Sequence, residues 1–271
     1  MIEDAVPRWS GSSRWTRLQI AACVVHATAL IATPLRRRGR RAGLAEVVIA
    51  TLGCATAAAT ARRWGPTRAA TTATALAGTT ALIEQLGTST GIPFGRYTYT
   101  GTLRPTVRAV PAIVPVAWFA MALPAREVAH GALGERSTVL RRIGAGALCL
   151  TAWDLFLDPQ MVGEGYWRWA RCGRYRGIPL TNYIGWLLTS ALVMAMLEVL
   201  VPPGSPEVTL IGEYGWMAAM QTLGFAAFFD DRVVALVGGA AMVPPAVIAA
   251  ARQFSAGRSS AVAHPLAPAG G

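Results

Sequence analysis

Long apolar runs separated by short polar segments make up most of this chain. A helix that crosses about 30 Å of hydrocarbon needs about 20 mostly apolar residues. Eight runs approach that length: 18–35, 44–61, 69–87, 110–123, 143–162, 183–201, 208–229 and 233–251. Arginine clusters separate the first three runs, and two prolines followed by a glycine end the sixth. The pattern predicts an all-α, polytopic membrane bundle of about seven or eight transmembrane helices.

Prolines make two of these runs irregular. The fourth is short and carries Pro111, Pro115 and Pro124, so we expect it to be kinked or tilted, with its freed carbonyls satisfied inside the bundle. The eighth has Pro244 and Pro245 in its middle, which is why the predicted count is seven or eight.

The two ends of the chain differ in composition from the runs between them. The first residues are polar, and the last are rich in Pro, Ala and Gly. Chain ends of this kind are poorly ordered unless something ties them down. We therefore predict disordered tails at 1–15 and 253–271, on either side of a transmembrane domain at 16–252.

Composition supports a membrane location. Of the 271 residues, 53% are hydrophobic and 14% are charged, about half the charged share of a soluble domain. Mean hydropathy is +0.40. The arginines that give the net charge of +11 lie between apolar runs. This placement suits contact with anionic lipid headgroups. A nucleic-acid-binding module would need a contiguous basic face instead. We expect a multi-pass protein of the cell (cytoplasmic) membrane, in contact with lipids and without a nucleic-acid partner.

The cysteines and histidines do not predict a metal site. None of the four cysteines is in Cys-x-x-Cys spacing, and three lie inside apolar runs, as small core residues do. His26 is alone in the first run, and neither His130 nor His264 is spaced to join it. We predict no metal ion and no cofactor.

Carboxylates inside the apolar runs are the first candidates for chemistry, because each costs roughly 2.5–3.5 kcal/mol to insert. Glu84 lies near the end of the third run. Asp154 and Asp158 lie in the fifth, and their i, i+4 spacing puts them on one helix face. Two desolvated carboxyls this close favour keeping one proton, which makes a general acid. The alternative is that Asp158, before Pro159, only ends the helix and that Asp154 pairs with a loop arginine.

Aromatic residues are frequent around these acids. Trp118 and Trp153 lie within apolar runs, where an interfacial aromatic belt does not explain them, whereas the belt does explain Trp167 and Trp169. Aromatic faces in a dry cavity stabilise a carbocation, and they can also line a slot for a rigid polyene.

Two loops, 87–99 and 174–186, combine Gly-Ile-Pro with polar and aromatic residues. We interpret them as structured caps at the mouth of a cavity, and ordinary interfacial loops are the alternative. The predicted substrate-binding residues come from these loops and from the two tryptophans within apolar runs. They are Trp118, Trp153, Tyr97, Tyr99, Asn182, Tyr183 and Trp186.

Four segments between about residues 80 and 190 resemble the membrane hydratases of carotenoid biosynthesis. They are Glu84 with 91–99, then 114–121, 152–161 and 177–186. The most specific part of the resemblance is the block Trp-Asp-x-x-x-Asp-Pro-x-Met, followed by Gly-x-Pro-x-x-Asn-Tyr-x-Gly-Trp. The family includes γ-carotene 1′-hydroxylase (hydratase) enzymes, bisanhydrobacterioruberin hydratases and hydratases of fifty-carbon carotenoids.

The resemblance implies addition of water to the terminal C=C (the ψ end group) of an acyclic or monocyclic carotenoid, which gives a tertiary alcohol. The ligands would be the lipophilic carotenoid and water, without a cofactor, and other carotenoid enzymes are candidate partners. Asp154 or Asp158 would donate the proton, and Glu84 would act as the base that orients water. Asn182 or Tyr183 would help to hold that water, while Trp118 and Trp153 would face the cation. The roles of the carboxylates can be exchanged at this stage.

Two other functions fit the same residues. An intramembrane prenyltransferase would use aspartates to hold Mg²⁺ on an isoprenoid diphosphate, but such enzymes need two Asp-rich motifs and Asp154 with Asp158 supplies one. A proton-coupled transporter would use the buried acids as a relay, and inverted repeats, which would support it, are not recognisable in the sequence.

Overall fold

Eight α-helices form the framework of the protein in the computed structural model, which describes residues 12–134 and 136–262. They are α1 (Ser12–Leu35), α2 (Ala42–Trp64), α3 (Pro66–Thr90), α4 (Ile113–Leu133), α5 (Val139–Glu164), α6 (Leu180–Leu200), α7 (Val208–Ala227) and α8 (Arg232–Val262). Each contains one of the eight apolar runs or most of it. The predicted all-α membrane bundle is therefore confirmed.

Four of the helices are long and apolar enough to cross a membrane: α1, α2, α6 and the Arg232–Ser255 part of α8. The other four have similar lengths, from 20 to 26 residues, but carry charged residues in their interiors, which lowers their hydropathy. Large apolar side chains lie on the outer surface of the bundle, such as Leu140 at 80% and Val199 at 86% exposure. An apolar exterior of this kind is suited to hydrocarbon rather than to water.

Helix α4 lies at the centre and packs against α2, α3, α5, α6, α7 and α8. It is longer than the predicted run, which ended at residue 123, because Pro124 lies inside the helix and does not end it. The extra turns carry Arg126, Glu127 and His130, all of them buried. The sequence hid this part of the helix because its charged residues interrupt the apolar pattern.

Buried ion pairs stabilise the charged end of α4. Arg126 and Glu127 form an ion pair, and the second carboxylate oxygen of Glu127 accepts from the backbone N–H of Glu207 at 2.6 Å. Glu198 on α6 pairs with Arg142 on α5 at 2.7 Å. These contacts join α4, α5, α6 and the start of α7, so the charges are compensated where water is scarce.

Glu127→Ala is expected to destabilise the protein by about 3–5 kcal/mol, because it leaves Arg126 buried without its closest counter-charge. Unfolding in detergent, followed by circular dichroism, measures the loss. The control is Arg176→Ala, which removes the exposed pair with Asp231 and should cost less than about 1 kcal/mol. Equal losses in the two variants would contradict a structural role for the buried pair.

Two small antiparallel strand pairs lie beside the helices. Strand β1 (Tyr97–Tyr99) pairs with β4 (Trp167–Trp169), and β2 (Thr106–Val107) pairs with β3 (Val110–Pro111). The loop before β1 packs so closely on α6 that a Cβ at Gly185 would lie 2.7 Å from the carbonyl oxygen of Pro93. A glycine is therefore required at this contact.

The helices extend into both predicted tails. Helix α1 begins at Ser12, and α8 continues to Val262. The rest of the predicted tails, 1–11 and 263–271, lies outside the described residues, so the division into tails and domain stays a prediction.

Candidate active site

A cavity lies inside the bundle, near the ends of α3 and α5 and the beginnings of α4 and α6. Strands β1 and β4 form part of its wall. Eight of the ten predicted site residues line it: Glu84, Tyr97, Tyr99, Trp118, Trp153, Asp158, Asn182 and Trp186. The fold therefore brings together residues that are up to about a hundred positions apart in the sequence.

Glu84 is buried and accepts three hydrogen bonds. Its Oε2 atom accepts from the hydroxyl groups of Tyr97 at 2.5 Å and Tyr99 at 2.9 Å. Its Oε1 atom accepts from the indole N–H of Trp118 at 3.1 Å. All three partners are donors, and this arrangement stabilises an ionised carboxylate in an apolar interior.

The two tyrosines are fixed as donors. Burial is the main cause that raises the pKa of both Tyr97 and Tyr99 well above the ordinary value, and the negative charge of Glu84 adds to it. Both hydroxyl groups therefore keep their protons and donate to the carboxylate. Strand β1 places Tyr97 and Tyr99 two positions apart, so the two side chains lie on the same side of the strand.

Asp154 and Asp158 share one amide group. The Nδ2 atom of Asn182 donates to Oδ2 of Asp154 at 2.8 Å and also to Oδ2 of Asp158. The Oδ1 atom of Asp158 accepts from the indole N–H of Trp167 at 2.9 Å. The Oδ1 atom of Asp154 is buried without a partner among the described residues. Two carboxyl groups joined in this way, away from water, favour a state in which one of them holds a proton.

Three of the tryptophans that line the cavity contact one another. The rings of Trp118 and Trp186 are stacked, with centroids 4.0 Å apart and an angle of 19° between planes. Trp153 meets Trp186 edge to face at 6.1 Å. Both stacked rings line the cavity, and a cation within about 6 Å of such a ring is attracted by its electrons.

Two of the predicted site residues do not line the cavity. Asp154 is fully buried and reaches the site through Asn182. Tyr183 lies on another side of α6, in a separate pocket, with its ring 6.0 Å from that of Tyr175. Of the two residues expected to help hold water, Asn182 is therefore the one placed at the cavity.

Trp167 and Trp169 lie in the site, although their sequence context suggested an interfacial belt. Both line the cavity, and Trp167 donates to Asp158. Register explains their position, because Tyr97 pairs with Trp169 and Tyr99 with Trp167 across the two strands. The signal in the sequence was the repeated aromatic-x-aromatic pattern of two short strands, which places alternate side chains on one face.

Two amide side chains were not predicted from the sequence. Gln160 follows the aspartate motif on α5, and Gln221 lies on α7, and both line the cavity. Among the described residues, no group of three or more His, Cys, Asp or Glu side chains forms a metal site.

Comparisons with known proteins identify relatives of the chain. The sequence profile of a family described as carotenoid biosynthesis protein matches residues 43–253. A curated bisanhydrobacterioruberin hydratase from Haloarcula japonica is 34% identical over 119 residues. The aligned part covers 43% of this chain and 40% of that relative, which is less than half of its length. No solved structure matches the chain.

Proposed function

The chain belongs to the carotenoid biosynthesis protein family, which confirms the resemblance seen in its motifs, and from this premise we propose that it is a carotenoid hydratase. The reaction adds water to the terminal C=C of an acyclic or monocyclic carotenoid. The observation that carries the proposal is the pairing of a carboxylate held by three donors, Glu84, with an aspartate pair across an aromatic cavity.

The first step is protonation of the alkene. Asp158, which lines the cavity, gives its proton to the inner carbon of the terminal double bond, and the π electrons form the new C–H bond. The positive charge is left on the outer carbon, which carries two methyl groups. Asp154 and Asn182 support this step, because the shared amide keeps the two carboxyl groups together and so favours the proton-holding state.

The second step is capture of the cation by water. A water oxygen bonds to the outer carbon, and Glu84 takes the proton that this water loses. Since Glu84 accepts from three donors, it is prepared to act as an acceptor and not as the first proton donor. A proton returns from Glu84 to the aspartate pair through water, so atoms and charge balance and no cofactor takes part.

The stacked tryptophans stabilise the cation between these two steps. Trp186→Leu is expected to lower the rate of hydration by about ten- to thirtyfold, since a desolvated cation–π contact contributes about 2 kcal/mol. Trp186→Phe retains an aromatic face and should lose less. The initial rate of alcohol formation in isolated membranes measures both. If the Leu and Phe variants have equal rates, the ring does not act through the cation.

Expression in cells that accumulate lycopene, γ-carotene or an acyclic fifty-carbon carotenoid tests the proposed activity. Pigments are extracted and analysed by chromatography and mass spectrometry. A product heavier by one water is the expected result. Unchanged pigments with all three substrates, in cells whose membranes contain the protein, would count against a hydratase. That result would favour an intramembrane prenyltransferase or a proton-coupled transporter.

We also propose that the protein crosses the cell membrane several times. Four helices have the length and composition of spans. The remaining four lie beside them in one bundle, and their acidic residues Glu84, Glu127 and Asp158 are buried. Labelling of single engineered cysteines from each side of the membrane tests the number of crossings.

A further inference from the structure

A second cavity opens sideways between α1 and α7. Its lining is apolar except for Thr33, Gln160 and Gln221. Ile31 on α1 and Leu223 on α7 line it and are each about half exposed on the outer surface of the bundle. Because this surface is apolar, the opening faces lipid hydrocarbon rather than water.

The second cavity adjoins the candidate active site. Leu30, Thr33, Gln160 and Gln221 line both cavities and so form the junction between them. Gln221 is only 8% exposed, and its Oε1 atom has no hydrogen-bond partner among the described residues. A buried acceptor without a partner is unfavourable, which points to water or a ligand hydroxyl group at the junction in the working protein.

We propose that the polyene chain of the substrate enters the active cavity from the lipid through this opening between α1 and α7, which we call the lateral portal. The inference rests on the proposed function. A carotenoid is rod-shaped and dissolves in the hydrocarbon of the membrane, so it needs an apolar side opening. The rest of the chain stays in the lateral portal and in the lipid while the end group reacts.

The lateral portal gives the two carboxyl sites an order along the substrate. Helix α5 contributes Asp158 to the active cavity and Gln160 to the junction, whereas α3, which carries Glu84, contributes none of the residues that line the second cavity. An end group that enters from the junction passes the aspartate pair before it reaches Glu84. The inner alkene carbon then lies toward Asp158, and the outer carbon lies toward Glu84 and its water.

This order agrees with the chemistry of hydration. The proton must go to the inner carbon so that the charge forms on the outer, dimethylated carbon, and water attacks at the tip of the chain. The lateral portal therefore assigns proton donation to the aspartate pair and the water site to Glu84. This argument does not depend on the hydrogen bonds of the carboxyl groups. The Oε1 atom of Gln221 is placed to accept from the new hydroxyl group as the product leaves.

Gly224, on the α7 side of the lateral portal, allows a direct test. A Cβ there would meet only the ring of Phe229, at ordinary distances of 3.5 and 3.7 Å, so Gly224→Ala is a matched control that the structure accommodates. Gly224→Phe narrows the opening with a ring. A long carotenoid must remain threaded through the lateral portal as it reacts, whereas a short acyclic isoprenoid hydrocarbon with the same terminal alkene needs only to pass through it.

Purified wild type and the two variants are compared in lipid nanodiscs with both substrates. In Gly224→Phe, hydration of the long carotenoid should fall by about tenfold or more while that of the short hydrocarbon stays close to wild type. Gly224→Ala should behave as wild type with both. Unchanged conversion of the long carotenoid in Gly224→Phe, or an equal loss with both substrates, would overturn the lateral portal.

Carotenoid binding is measured in the same samples. The readout is the circular dichroism that the protein induces in the visible absorption band of the carotenoid. If wild type hydrates neither substrate, the proposed function has failed, and this signal alone decides on the lateral portal. Its loss in Gly224→Phe, with retention in Gly224→Ala, supports the route, and an equal signal in all three proteins overturns it.

Discussion

Asp158→Asn lowers hydration of the carotenoid end group by about 10²–10⁴-fold, the range expected when a general acid is removed. Asparagine has nearly the same shape and can still accept from Trp167 through its amide oxygen, whereas its amide nitrogen no longer accepts from Asn182. What it lacks is a proton acidic enough to protonate an alkene. The measurement is the rate of alcohol formation by purified variants in bilayers, with folding checked by circular dichroism.

Two further variants make this result specific. Asp231→Asn changes an aspartate outside the cavity, paired with Arg176, and should keep wild-type activity. Asp154→Asn should lose less than Asp158→Asn, because Asp154 is held by Asn182 behind the cavity wall. Wild-type activity in Asp158→Asn would show that another group donates the proton.

Glu84→Gln is expected to reduce hydration by about 10²–10⁴-fold for a different reason, the loss of the base that takes a proton from water. The three donors that face Glu84 lose the ionised acceptor for which they are arranged. Protonation of the alkene by the aspartate pair does not need Glu84, so the variant should still form the cation. Without capture by water, the cation loses a methyl hydrogen and returns to an alkene.

Heavy water distinguishes these two roles. In heavy water, Glu84→Gln should yield recovered or isomerised carotenoid that contains deuterium but no alcohol. Asp158→Asn should yield neither deuterium incorporation nor alcohol. The reverse pattern, with deuterium exchange in Asp158→Asn and none in Glu84→Gln, would exchange the assigned roles of the two sites.

The sequence was sufficient to predict the helices, because each is built on an apolar run and all but the short fourth run approach membrane-spanning length. The acids were predictable for the same reason, since Glu84, Asp154 and Asp158 interrupt those runs at a cost in free energy. Helix α4 shows the limit of this method. Its charged end looked like the end of a span, and only the buried partners of Arg126 and Glu127 show why it continues.

Contacts between distant segments were not predictable from these patterns. Nothing in the local sequence states that Tyr97 pairs with Trp169, or that one amide of Asn182 joins two aspartates on another helix. The belt interpretation of Trp167 relied on its position outside the apolar runs. The fold instead turns that segment inward as a strand against β1, which brings its indole to Asp158.

The most direct test of the central claim is the source of the new oxygen atom. Purified wild-type protein in lipid nanodiscs, supplied only with an acyclic carotenoid, is incubated in water enriched in heavy oxygen under ordinary air. We predict a tertiary alcohol heavier than the substrate by one labelled water, formed without any added reductant or cofactor. An alcohol that carries unlabelled oxygen from the air, or no alcohol from folded protein that binds the carotenoid, would contradict hydration.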